Sequence, residues 1–173
     1  MYFCKNKNEI MEDVIRIASY ICQRYEYQFG SRIEEMKLHK LLYFTQRESF
    51  IQLGEPVFSQ HFRARLYGPV MLGIHEKFLK NELHEPLSPD VLEKYHRVFD
   101  RVFETYAPKD VMGLVSLSKG QYSYQKVTKS YGWMKPCDEE MLTDDIRIDA
   151  EKFKVRRFLL AQLKEVRKQS VLS

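Results

Sequence analysis

The chain has few of the features that mark secreted or membrane proteins. Its three cysteines are widely separated, and none belongs to a CxxC pair of the kind found in zinc sites and redox motifs. The N-terminus lacks the apolar segment and cleavage site of a signal peptide, and no stretch approaches the roughly 18 apolar residues that cross a bilayer. We therefore expect a cytoplasmic protein in which Cys4, Cys22 and Cys137 are reduced thiols.

Glycine is also scarce, with seven residues in a chain of 173, and this limits the loops that cradle phosphate groups. The sequence contains no GxSxG, GxxxxGK[ST] or GxGxxG motif, and no HxxxH or HExxH pair that would place two zinc ligands on one helix face. These absences predict a protein without enzymatic activity, cofactor or bound metal. A hydrolase whose site the sequence does not reveal is the third-ranked alternative.

The composition is that of a folded protein with a mild positive charge. Hydrophobic residues make up 44% and aromatic residues 13%, which is enough for one sizeable core. The formal charge is +4 and the isoelectric point is near 8.8, too weak a bias to indicate nucleic-acid binding by itself. We expect a single domain over residues 1–173.

Most of the chain has the three-and-four spacing of apolar residues that predicts helices. Gly30 and Gly54 are expected to end the first two helices, and Ser31 with Glu34 to form a capping box for the second. Ser88 with Pro89 should start the fourth helix. The predicted helices cover residues 9–29, 32–53, 70–80, 89–106, 108–117, 121–130 and, with Asp149 as cap, 150–168.

Residues 56–70 have a different pattern, because Phe58, Phe62, Ala64 and Leu66 alternate with mostly polar residues. This alternation predicts a short strand or hairpin, and we expect no clear strand elsewhere. Residues 131–136, which hold the only tryptophan beside a glycine and a proline, predict an ordered loop. The fold class is therefore mainly α, with a small β-hairpin or extended element near residues 56–70.

The last predicted helix is rich in basic residues. On a helix several of them would share one face, which could meet the phosphates of a nucleic acid. The other interpretation is a solvated amphipathic surface, and we favour it. The cations are Lys152, Lys154, Arg156, Arg157, Lys164, Arg167 and Lys168.

Three motifs follow one another between residues 37 and 70: KLHKLLYF at 37–44, GEPVF at 54–58 and ARLYGPV at 64–70. In this order and spacing they resemble the Panacea domain, a family of phage- and mobile-element-associated proteins that includes antitoxins and a proteolytic adaptor antitoxin. The resemblance implies a non-enzymatic protein that binds and sequesters a companion protein toxin, as a chaperone or by delivery to a cytosolic protease. A nucleic-acid-binding transcriptional regulator using the basic last helix is the alternative.

The motif residues are expected to be mainly structural. Among them we predict that Tyr43, Phe58, Tyr67 and Val70 lie in the core rather than contact a partner. The full set is Leu38, Leu41, Leu42, Tyr43, Phe44, Gly54, Pro56, Phe58, Ala64, Tyr67, Gly68, Pro69 and Val70.

The other face of the extended segment is the better candidate for binding a partner. His61, Arg63 and Arg65 alternate with the predicted core residues and should therefore be exposed. An open strand edge at the same place could also accept a strand from a disordered toxin segment.

Overall fold

The computed structural model describes residues 12–131 and 137–172, which form seven helices and a three-stranded sheet. The predicted mainly α fold with a small β element is confirmed. In chain order the elements are α1 (Val14–Phe29), α2 (Glu35–Leu53), β1 (Phe62–Arg65), β2 (Gly68–Met71), α3 (Ile74–Leu79), α4 (Pro89–Thr105), α5 (Val111–Lys119), α6 (Tyr122–Thr128), β3 (Glu139–Met141) and α7 (Thr143–Leu172).

Helix α2 is the centre of the fold. Every residue from 37 to 50 is buried, because α1, α4, α5, α7 and β2 all pack against this helix. Its polar side chains are tolerated there because they find partners. Gln46, for example, accepts from the amide of Val57 and donates to the carbonyl of Phe58, both at 2.8 Å. The polar positions of α2 therefore attach neighbouring segments instead of facing water.

The ends of the first helices follow the sequence only in part. Gly30 and Gly54 adopt the left-handed conformation and end α1 and α2 as predicted. The predicted capping box is wrong, since α2 begins at Glu35 and the Glu34 side chain makes no capping bond. Burial of Ile33 in the core holds this segment in an extended conformation. Residues 9–11 of the predicted first helix lie outside the described residues.

The predicted hairpin is confirmed as β1 and β2, which pair antiparallel from Phe62 opposite Met71 to Arg65 opposite Gly68. Because Val70 belongs to this ladder, the prediction of a helix from residue 70 is wrong, and α3 begins only at Ile74. The prediction of no other strand is also wrong. Strand β3 pairs with the other side of β1 and gives the sheet order β2-β1-β3.

The later helices are present as predicted, but their starts and ends differ from the predicted positions. Ser88 caps α4 as predicted, whereas α5 is capped by Asp110 and begins after the expected Pro108. Helix α7 starts at Thr143, so Asp149 is an interior residue and not the predicted cap. Residues 132–136 of the predicted loop lie outside the described residues. None of the described helices combines the length and apolar character that crossing a membrane requires.

Candidate functional site

The motif on α2 holds the hairpin through a buried lysine. Lys40 is fully buried, and its Nζ donates to the carbonyl oxygen of Pro69 at 2.8 Å. Burial lowers the pKa of Lys40 to about 7. Gly68 has a φ of 92°, and a Cβ there would lie 2.8 Å from Ser118 Oγ and 3.1 Å from Lys40 Cε. The YGP turn therefore needs glycine both for its backbone conformation and for the close approach of Lys40.

His39 attaches the same hairpin at its end. Its Nδ1 accepts from the amide of Met71 at 3.1 Å, and its Nε2 lies 3.4 Å from Glu35. Burial, with the neighbouring Lys40 charge, lowers the pKa of His39 to about 4. The side chain is thus a neutral acceptor at neutral pH, which is a structural role.

Most of the motif residues lie where the sequence predicts. Apart from the prolines and Tyr67, seven of the eight apolar ones are buried, and Val70 is partly exposed. Gly54 is an exposed helix stop and Pro56 is half-buried, while Gly68 and Pro69 are buried. Val70 is only partly buried, so the prediction that it lies in the core is correct only in part. Tyr67 is the clear exception. It occupies the turn between β1 and β2 and is 50% exposed, so the prediction that it lies in the core is wrong. The buried apolar motif residues are Leu38, Leu41, Leu42, Tyr43, Phe44, Phe58 and Ala64.

The predicted contact residues on β1 lie on the surface but are not free. Arg63 Nε lies 2.7 Å and Arg65 Nε 3.2 Å from the same oxygen, Oδ1 of Asp138. The two guanidinium groups hold the pKa of that carboxyl below its usual range, Arg63 more strongly than Arg65. His61 is exposed, with Thr143 Oγ1 3.4 Å from its Nδ1. We term His61, Arg63 and Arg65 with Asp138 the strand-face cluster.

The sheet order corrects the expectation of an open edge beside these residues. Strand β1 is paired on both sides, by β2 and by β3, so its own backbone cannot accept another strand. The edges of the sheet belong to β2 and β3 instead. Only the side chains of the strand-face cluster remain available for a partner.

A buried polar cluster connects α7 to α2, and the sequence pattern did not predict it. The carboxylate of Asp149 accepts from Tyr43 Oη at 2.8 Å and from the backbone amide of Ser123 at 3.2 Å. One turn earlier, the buried Asp145 accepts from Lys126 at 3.0 Å. The four-residue spacing of the two aspartates, beside apolar Ile146 and Ala150, was the available signal for one inward-facing helix stripe.

Helix α7 continues beyond the core. Its buried residues lie in the first two turns, whereas every residue from 154 to 171 is exposed. We term residues 151–171 the projecting segment. It follows that the apolar side chains of this segment are largely unpacked. Seven large apolar side chains of the segment are between 49% and 85% exposed, namely Val155, Phe158, Leu159, Leu160, Leu163, Val166 and Val171.

A basic pocket of about 490 Å³ lies where the projecting segment leaves the core, beside α4. No carboxylate lines it, and none of its four cations forms an ion pair with a described residue. Its apolar part includes Phe153, whose ring centroid is 4.5 Å from the guanidinium carbon of Arg47 and 5.0 Å from that of Arg157. We term it the cation pocket. Its lining comprises Arg101, Phe153, Arg156, Arg157, Leu160, Ala161 and Lys164.

The other potential sites lack a reactive nucleophile or a set of metal ligands among the described residues. A second pocket of about 370 Å³ includes Cys22, but burial raises the pKa of this thiol to about 11 and so suppresses the reactive thiolate. Within residues 12–131 and 137–172, no three His, Cys, Asp or Glu side chains are grouped closely enough to hold a metal ion.

A family model described as antitoxin SocA-like, Panacea domain matches residues 38–122. The matched region begins in α2, includes the hairpin that Lys40 holds and ends at the first residue of α6. No curated protein and no solved structure matches the chain. The match confirms the resemblance to the antitoxin SocA-like Panacea domain over residues 38–122, the region that contains the hairpin and most of the buried α2.

Proposed function

We propose that this protein is a non-enzymatic, antitoxin-like binding protein that sequesters a companion protein toxin, with residues 1–173 acting as one unit. The observation that carries the proposal is the projecting segment. It exposes seven large apolar side chains along one helix, and large exposed apolar surfaces typically bind another protein. The match to an antitoxin-like family makes a toxin the expected partner.

The exposure of these apolar side chains favours a binding role for the projecting segment over a purely structural one. Covering apolar surface contributes about 25 cal/mol per Å², so several large side chains supply much of the free energy that a stable complex requires. The buried first turns of α7 anchor the segment to α2 through Asp149 and Tyr43. The surface is therefore held on a preformed helix, and little ordering entropy is lost on binding.

Two neutralisation modes are compatible with such a complex. In simple sequestration the toxin remains intact but inactive. In the adaptor mode the complex is delivered to a cytosolic protease, and the half-life of the toxin falls when this protein is present. A pulse-chase measurement of the toxin distinguishes the two modes.

The test is co-expression with the protein encoded by the neighbouring gene. We expect the neighbour alone to arrest growth, this protein to restore it, and the two to co-purify. Because binding is the proposed mechanism, rescue should scale with the ratio of the two proteins and should survive His84→Gln and Cys22→Ala. A non-toxic neighbour, or rescue at far below equimolar amounts, would refute the proposal.

The same assay tests the strand-face cluster as a contact surface. Reversing Arg63 and Arg65 to glutamate also breaks their pairing with Asp138. Asp138→Asn is therefore the matched control, since it removes the ion pairs while both arginines remain. Weaker rescue with the double reversal but not with the control supports direct contact. Equal rescue excludes this surface and leaves the proposed function intact.

A nucleic-acid-binding regulator is the second candidate, and the seven cations of the projecting segment favour it. We rank it second because the apolar side chains between those cations have no counterpart on a phosphate backbone.

A further inference from the structure

The apolar side chains of the projecting segment cover more of the helix than one partner helix could bury. At about 100° per residue, the seven side chains spread over more than half of the circumference. Two packed helices share only a narrow seam. A groove, by contrast, encloses a helix from more than one side, as in the helix-in-groove mode of peptide recognition. The segment spans about 30 Å, which a groove of ordinary size accommodates.

Charge decides between a second copy of this chain and a different partner. The segment carries seven Lys and Arg residues against Glu151 and Glu165, a formal charge of +5. Both glutamates are already engaged with lysines of the same helix, at 3.3 and 3.6 Å. Pairing two such segments would place like charges against each other, which opposes self-association.

The cation pocket specifies what the partner must bring. Arg101, Arg156, Arg157 and Lys164 line it without a counter-ion among the described residues. An aromatic and an aliphatic side chain, Phe153 and Leu160, form its apolar part. Carboxylates of a partner would meet guanidinium groups there in partly desolvated, charge-assisted hydrogen bonds.

We propose that the projecting segment inserts as a helix into an apolar groove of the companion toxin, and that carboxylates at one end of the groove occupy the cation pocket. The inference rests on the proposed function, since the toxin is the partner, and it adds the chemistry of the partner surface. The apolar groove supplies affinity, and the carboxylates set the direction and register of the helix.

The apolar part of the proposal is tested with the combined variant Leu159→Gln and Leu163→Gln in the full chain. Both side chains lie outside the core and are about half exposed, so thermal unfolding should be unchanged. We expect the affinity for the neighbouring gene's product to fall at least about 30-fold, as for central apolar anchors of an interface. Calorimetric titration with the purified proteins gives the affinity.

The charge part is tested by Arg156→Glu with Lys164→Glu, both in the cation pocket. Lys154→Glu with Lys168→Glu is the matched control, because it changes the net charge equally on the same helix outside the pocket. We expect the pocket variant to lose at least about tenfold in affinity and the control to lose less than about threefold. Equal losses would refute the cation pocket as a specific contact.

The remaining outcomes distinguish this inference from the proposed function. If wild-type protein neutralises the toxin and the apolar variant binds as tightly, the inference falls and the proposed function stands. If wild-type protein neither binds nor neutralises the neighbour, both fall. Sequence-selective duplex DNA binding at physiological salt that the pocket variant abolishes would replace the toxin by nucleic acid. A wild-type dimer that the apolar variant dissociates would replace it by a second copy of the chain.

Discussion

Replacing Asp149 by alanine is expected to lower the free energy of unfolding by about 3 kcal/mol, because it removes the carboxylate that accepts from two buried donors. Its carboxylate receives hydrogen bonds from Tyr43 Oη and from the amide of Ser123, and all three residues are buried. Burial and the adjacent carboxylate hold the pKa of Tyr43 well above its usual value, so the hydroxyl is a donor throughout the accessible pH range. Urea unfolding at neutral pH measures the effect.

Asp144 is the matched control on the same helix. Its side chain is 91% exposed, and its nearest cation is Arg147 at 3.9 Å. We expect Asp144→Ala to change stability by less than about 0.5 kcal/mol. A cycle combining Tyr43→Phe with Asp149→Ala isolates the contribution of the hydrogen bond itself. Equal effects of the two alanine variants would show that the buried cluster does not stabilise the fold.

The second large effect is a dependence of stability on pH that originates at Lys40. Because burial lowers its pKa from 10.5 to about 7, the unfolded chain binds a proton that the folded protein has released over this range. Stability should therefore rise from pH 7 towards pH 9, with a slope of up to about 1.4 kcal/mol per pH unit. Below pH 7 both states carry the charge, and the full cost of burying it is present.

The window ends near pH 9 because other buried groups act in the opposite direction. The thiol of Cys22 has a pKa raised to about 11, and the pKa of Tyr95 is raised to about 12. Each group stabilises the fold below its unfolded pKa, and this contribution is lost as the pH rises towards the folded value. The rise due to Lys40 is therefore measured most cleanly between pH 7 and 9.

Lys40→Met removes the titrating group and keeps the length of the side chain. We expect its stability to be nearly independent of pH between 7 and 9, whereas Lys129→Met, at an exposed position, should retain the wild-type slope. Chemical denaturation at a series of pH values gives both profiles. A wild-type profile that is flat or falls with pH in this window would show that Lys40 stays charged in the folded protein.

The sequence predicted the helical character of α2 but not its burial on every side. Periodicity analysis looks for a one-sided apolar stripe, and the charged residues of this helix indicate a solvated face. Lys40 and Gln46 are nevertheless buried, because each finds a backbone partner 11 to 29 residues further along the chain. These backbone partners come within hydrogen-bonding distance only when the hairpin and the turn after Gly54 pack against α2.

The candidate contact residues show the same division. Alternation along β1 correctly predicted that Arg63 and Arg65 leave the core. It could not predict Asp138, which engages both arginines only because β3 adds to the sheet from a distant part of the chain. The prediction that Tyr67 lies in the core was wrong because the alternation of buried and exposed residues does not continue through the turn that contains Tyr67.

The sequence by itself determined the local structure. This comprises the glycine stops of α1 and α2, the Ser88 cap, the hairpin and the three motifs between residues 37 and 70. These features depend on backbone preferences and on bonds between near neighbours. Tertiary structure alone decided that Asp149 is a buried acceptor and that the second half of α7 stays uncovered. Burial depends on which distant segments pack against a helix, and no described segment buries the apolar side chains beyond residue 154.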